Sequence, residues 1–185
     1  MRKHMQMQDK EEEAIVLDFL PSGYPLEGIH FPIVQALGPK HLVLLELVPR
    51  RGVMLQPKEK VYIGPGKRDK IYYIKGRLKP EKLTEAAKIQ LEEIIKEIVN
   101  NNEARFVEFF NKAEAINKRM HQLELLPGFG KKHMEAIIKA REEKPFASFD
   151  EIRQRVKGLP DPKKAVEKRI MQELTEKVKH KVFTA

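Results

Sequence analysis

From Ala14 to Ile74 the apolar residues come in short runs separated by turn-forming residues. The runs Ala14–Leu20, Ile33–Leu37, His41–Val48, Lys60–Ile63 and Lys70–Ile74 have strand length, and Pro21-Ser22-Gly23, Gly38-Pro39 and Gly64-Pro65-Gly66-Lys67 stand between them as turns. So many short strands in so little chain predict a small closed barrel, because closure leaves no sticky edge. Beyond Lys79-Pro80 the spacing becomes helical: Thr84 caps a helix whose stripe is Ala87, Leu91, Ile94, Ile95 and Ile98, ending at Asn100-Asn101-Asn102. Phe106, Val107, Phe109 and Phe110 follow as a dense cluster, most simply a core. Ile116, Met120 and Leu123 before a Pro-Gly turn, and Met134, Ile137 and Ile138 after it, predict helices on both sides. Ser148 with Glu151 forms a capping box for a helix through Val156, and Asp161-Pro162 reads as the cap and first position of another. Met1–Glu13 is polar and methionine-dotted without period, which predicts a flexible tail and is too polar for a secretory signal.

Composition narrows the chemistry. The 185 residues include no cysteine, which removes disulfides, thiol catalysis and cysteine-based metal sites, and fits a reducing, cytoplasmic setting. No apolar run approaches the length of a membrane span. Lys and Arg number 36 against 27 Asp and Glu, a formal net charge of +9. The charge is uneven: +5 over residues 1–80, −1 over 81–120 and +5 over 121–185. Arg50, Arg51, Lys58, Lys60, Lys67, Arg68, Lys70, Lys75, Arg77 and Lys79 face only Glu59 and Asp69, a net of +8 in one stretch. That is the footprint of a polyanion partner, and it makes nucleic acid the leading one. Tyr62, Tyr72 and Tyr73 lie within it, where exposed rings stack on bases as on an OB-type barrel. Since adjacent strand residues point to opposite faces, one of Tyr72 and Tyr73 is expected to face inward.

The strongest single signal is Leu125-Leu126-Pro127-Gly128-Phe129-Gly130-Lys131-Lys132. Two glycines around one apolar residue permit a tight turn, the helix that follows directs its unpaired N–H groups and positive dipole end outward, and Lys131 and Lys132 add full charges. These residues resemble the helix-hairpin-helix motif of DNA- and RNA-binding proteins, which implies that Gly128, Phe129, Gly130, Lys131 and Lys132 hold a backbone phosphate. A simple chain reversal between packed helices is the plain alternative. A second, degenerate copy follows at Lys157-Gly158-Leu159-Pro160-Asp161-Pro162, where the second glycine is missing and Pro160 has no N–H; Lys163 and Lys164 keep the charge, and the copy is expected to be mainly structural.

Catalytic constellations are sparse. Ser22 and Ser148 sit in no nucleophile elbow, and His4, His30, His41, His121, His133 and His180 show no metal-ligand spacing, so neither a cofactor nor a metal is expected. Lys132 and Asp150, 18 positions apart, are similar to the lysine and aspartate of helix-hairpin-helix DNA glycosylases, which would form a Schiff base; the family's cluster cysteines and base pocket are missing, and a non-enzyme is expected.

Residues 14–176 as a whole resemble an uncharacterised archaeal family of predicted RNA-binding proteins. The resemblance rests on Leu17-Asp18-Phe19-Leu20-Pro21, Val61-Tyr62-Ile63-Gly64, Gly66-Lys67-Arg68-Asp69-Lys70, Arg105-Phe106-Val107-Glu108-Phe109-Phe110-Asn111-Lys112 and His121-Gln122-Leu123-Glu124-Leu125-Leu126-Pro127-Gly128. It implies an α+β chain: a tail (1–13), an OB-like β-barrel (14–80), a helical connector (81–120) and a tandem helix-hairpin-helix domain (121–185). The expected function is non-catalytic binding of nucleic acid, RNA ahead of DNA, through the hairpin amides and a basic barrel face of Arg50, Arg51, Lys67, Arg68, Lys70, Lys75, Arg77, Tyr62 and Tyr72. The alternative is a protein-interaction module, docking a partner through the helical domain and its phenylalanines, in a ribonucleoprotein or elsewhere.

Overall fold

The structure, a computed structural model, describes residues 10–185. The chain is α+β and divides into two compact units, one running to Ile94 with Leu174–Glu176 and Phe183–Ala185, the other Ile95–Glu173 with Lys177–Val182. Most of the expected tail lies outside the described residues, but Glu11 is buried and its carboxylate accepts hydrogen bonds from the backbone N–H groups of Lys40, at 3.0 Å, and His41.

In the first unit the expected strands form: β1 (Glu13–Leu20), β2 (Ile33–Gly38), β3 (Val43–Pro49), β4 (Lys60–Tyr62) and β5 (Ile71–Arg77). All pairings are antiparallel, in the order β4-β1-β2-β3-β5. The expected closed barrel is therefore corrected to a curled half-barrel in which, among the described residues, β4 and β5 are the edges. Closure would need a β4–β5 ladder, and β4 is only three residues long.

Alternation assigns the two faces. Ala14, Val16, Val34, Ala36, Val43, Leu45 and Leu47 line the inner face with Val61, Ile63 and Ile71. Leu17, Ile33, Leu37 and Leu44 bury the outer one. A register shift between Val16 and Asp18 turns Asp18 outward, where its Oδ2 accepts from the Thr84 hydroxyl at 2.6 Å. Thr84 in turn accepts from the N–H of Ala87 at 3.0 Å, capping α1 (Glu85–Asn101) as the sequence predicts. Gln35, wholly buried, donates to the Lys82 carbonyl at 2.7 Å and to the Tyr24 hydroxyl at 3.2 Å, and accepts from the N–H of Thr84 at 3.1 Å. Leaving such an amide unpaired would cost about 1–3 kcal/mol, so this cluster fixes where α1 begins. Burial raises the Tyr24 phenol to about 12; its hydrogen bond to Gln35 opposes this and Glu46 reinforces it.

The second unit holds α2 (Glu103–Lys112), α3 (Lys131–Glu143), α4 (Phe149–Arg155) and, as far as Glu173, α5 (Pro162–Thr175). Its core is the predicted phenylalanine cluster: Phe106 and Phe110 are buried, and the Phe110 ring lies 6.2 Å from Phe149 and 6.3 Å from Phe129. The helix expected over Ile116–Leu123 does not form. Asn117 Oδ1 accepts from the N–H groups of Arg119 and Met120 instead, Ala115 bridges to His121, and only a 3₁₀ turn, Gln122–Leu125, precedes the hairpin. A short polar side chain that satisfies local backbone donors competes with helix, and here it wins. A buried ion pair closes the unit: Arg169 Nε meets Glu173 Oε2 at 3.0 Å. Arg169 also donates to the carbonyls of Leu125, at 3.5 Å, and His180, and Glu173 accepts from the N–H of Val182 at 3.1 Å.

Candidate nucleic-acid interface

The first hairpin is set by its apolar residues. Leu126 and Phe129 are buried on either side of Pro127-Gly128, and the N–H of Phe129 donates to the Leu126 carbonyl at 3.0 Å. That tight turn requires φ +83° at Gly128, where a side chain would be strained and a Cβ would also meet Pro160 Cγ at 3.3 Å. Gly130 precedes α3 and has no side chain to cap it. Its own N–H donates to Nδ1 of His133 at 3.0 Å, which fixes the first turn while leaving the next amides alone. The N–H groups of Lys131 and Lys132 have no acceptor among the described residues, and both side chains are exposed. Two outward amides, the positive end of a 13-residue helix and two ammonium groups make an open anion cradle.

The second hairpin starts alike, with Gly158 at φ +80°, and ends differently. Asp161 Oδ1 accepts from the N–H groups of Lys163 at 3.0 Å and Lys164 at 3.2 Å, and from Arg153 Nη2 at 2.9 Å. Burial would raise the Asp161 carboxyl, but the Arg153 hydrogen bond and the two amides outweigh it and hold the group below the usual carboxylate range. Pro162 at the first helical position has no N–H to offer, and the next two amides are filled by the chain's own anion. The signal for this was already in the sequence: Asp161 is the cap, and a capping carboxylate takes the place a phosphate would take.

The barrel face is more self-engaged than its composition implies. Tyr62 is exposed, yet its hydroxyl accepts from the N–H of Gly66 at 3.0 Å, and a Cβ at Gly64 would fall 2.5 Å from the same oxygen. The ring is the post around which Gly64-Pro65-Gly66 turns. Arg68 Nε donates to the Gly64 carbonyl at 2.8 Å, Arg50 Nε to the Arg68 carbonyl at 2.6 Å, and Lys70 pairs with Glu59 at 3.0 Å. Arg77 makes a 3.4 Å contact with the Ala185 carbonyl. Arg51, Lys67 and Lys75 are exposed without a partner among the described residues. Tyr72 is 64% exposed and Tyr73 40%, their rings edge to face at 5.3 Å, so the expectation that one points inward is corrected. Val48 pairs with Tyr73 and Pro49 with Ile71, skipping Tyr72; the bulge breaks the alternation and puts both rings in solvent.

Of the pair Lys132 and Asp150, the Asp150 side chain is 82% exposed in the first turn of α4 and ion-paired to Arg153 at 2.6 Å. Among the described residues no helix is long and apolar enough to cross a membrane.

Comparison with known proteins places the chain among archaeal relatives. Residues 10–185 match the family described as protein of unknown function (DUF655). An uncharacterized protein of Methanocaldococcus jannaschii, MJ0038, is 43% identical over 173 residues, covering 94% of this chain and 78% of that protein. The crystal structure of Af1531 from Archaeoglobus fulgidus, described with the same family, is similar with a TM-score of 0.80 and 45% identity, covering 95% of this chain and all of that one.

Proposed function

We propose that this chain, which belongs to the DUF655 family, is a nucleic-acid-binding protein that holds single-stranded RNA by its backbone. The observation that carries the reading is the open cradle at Gly128–Lys132: a turn fixed by buried Leu126 and Phe129, with exposed lysines and unclaimed amides at a helix N-terminus. On this reading the helical unit has the character of a tandem helix-hairpin-helix domain with one working hairpin. Two open hairpins would suit the two strands of a duplex, whereas one open and one self-filled hairpin suits a single strand.

The half-barrel contributes, as an OB-like platform does, a second grip. Arg51, Lys67 and Lys75 offer free charge, and Tyr72 with Tyr73 offers a stacking surface that accepts any base. Phosphate contacts position without reading sequence, so binding is general rather than sequence-specific. The role is binding rather than catalysis. Docking a protein through the phenylalanines has less behind it, because Phe106, Phe110, Phe129 and Phe149 are spent in the core. The test is a titration of the full chain with single-stranded RNA and DNA across a salt series. Affinity should fall with salt at a log-log slope of about −0.7 per phosphate neutralised. Negligible affinity for both at low salt would overturn the proposal.

A further inference from the structure

The open seam of the half-barrel holds a cavity of about 790 Å³, within the size range of small-ligand sites. It is bordered by Ile63 and Gly64 just after β4, by Ile74 and Arg77 of β5, and by Val43 and Leu45 of β3. Among the described residues β4 pairs with β1 alone and β5 with β3 alone, so each strand leaves one main-chain edge at this seam. Val43, Leu45, Ile63 and Ile74 make the floor apolar, and Arg68 and Arg77 stand beside it. Arg68 uses Nε for the Gly64 carbonyl, which leaves its two terminal nitrogens for a ligand. Glu11, Glu12 and the main chain of Ala185, whose carbonyl Arg77 Nη1 meets at 3.4 Å, also border the cavity. Glu11 is committed to the amides of Lys40 and His41, which weakens its competition for the guanidinium groups. An apolar floor with fork-shaped cations at its side fits a ligand that joins a flat, weakly polar ring to an anion.

We propose that the seam cavity takes one nucleotide of a bound RNA strand, with the base on the apolar floor and the phosphate on Arg68 and Arg77. The proposal rests on the nucleic-acid reading above and adds a base-holding site to it, separate from the tyrosine surface and from the hairpin.

The experiment follows the methyl resonances of Val43, Leu45, Ile63 and Ile74 in the full chain during titration with adenosine 5′-monophosphate, adenosine and ribose 5-phosphate. The monophosphate should move these methyls to saturation, and either fragment should bind at least about tenfold more weakly. Arg77→Gln, at an exposed position, should weaken the monophosphate by a similar factor, and Ile74→Trp should exclude it. Silence of the methyls, or equal binding of ribose 5-phosphate, would overturn the proposal. So would an acidic extended peptide that moves them while the nucleotide does not, which would assign the seam to strand addition. A single-stranded RNA titrated in parallel separates the failures. RNA binding with silent methyls sinks the cavity alone, and nucleotide binding without RNA binding sinks the RNA reading and the strand as the source of the nucleotide.

Discussion

Replacing Asp161 by Asn should leave the second hairpin capped but without its negative charge, at little cost in stability. Asp161 caps α5 through the N–H groups of Lys163 and Lys164, at 3.0 and 3.2 Å, and pairs with Arg153 at 2.9 Å. Asn caps a helix about as well as Asp, so the cap survives. The ion pair joins side chains that are 36% and 37% exposed, so its loss costs at most about 1 kcal/mol, and Arg153 keeps its 2.6 Å contact with Asp150. A chain of this size should then lose no more than about 4 °C in melting temperature. The gain lies in removing a negative charge: a phosphate about 4 Å from that carboxylate is opposed by roughly 1 kcal/mol in water and more near a protein surface. Asp161→Asn should therefore bind single-stranded RNA at least about fivefold more tightly at low salt, with a salt slope steeper by about 0.7. Anisotropy titrations across a salt series, beside thermal melts, measure both. A folded variant with unchanged affinity and slope would refute the reasoning by placing the second hairpin away from the nucleic acid, and a large drop in melting temperature would refute the energy estimate.

Lys131→Ala and Lys132→Ala should each weaken RNA binding uniformly across sequences and flatten the salt slope by about 0.7 if one phosphate contact is lost, readable in the same titrations. Tyr72→Ala with Tyr73→Ala should cost about 1–3 kcal/mol per base stacked while leaving that slope unchanged, which separates stacking from charge. His121 accepts from the N–H of Leu123 through Nδ1, and burial, with the nearby Arg141 charge, holds its pKa below the usual 6.5. The unfolded chain then binds more protons than the folded one, so stability is fully present above about pH 6.5 and falls as pH drops below it. Melting temperatures between pH 7.5 and 5.5 should show that fall, and His121→Asn, which keeps an acceptor, should flatten it.

The sequence disclosed what local rules govern. The five strand runs, the Thr84 cap, the apolar stripe of α1 and the Asp161 cap are each decided by a few neighbouring residues, and each stands where the pattern puts it. Closure of the barrel was not legible, because β1 pairs with both β2 and β4 and no local pattern says whether β4 then reaches β5. The bulge at Tyr72 is a matter of cross-strand register, which one strand's alternation cannot reveal. At Asn117 a side chain took over the backbone donors that a helical spacing of Ile116, Met120 and Leu123 had claimed. At the candidate interface, composition displayed the cations but not their engagement. Arg50, Arg68 and Lys70 already hold parts of their own unit, which no count of charges can express.

The Arg169–Glu173 pair has a consequence for how this chain can vary by descent. Each side chain is bound to the other and to main-chain atoms of distant segments, Arg169 to carbonyls at Leu125 and His180, Glu173 to the amide of Val182. Changing one alone strands a buried charge, at a cost of about 3–5 kcal/mol, whereas an apolar pair of like volume would be tolerated. Such a pair, however, would no longer gather the approach to the first hairpin and the last residues of the second unit onto a single helix. Lineages that keep those two segments together should inherit the two positions as one unit, and lineages that lose them should lose both at once.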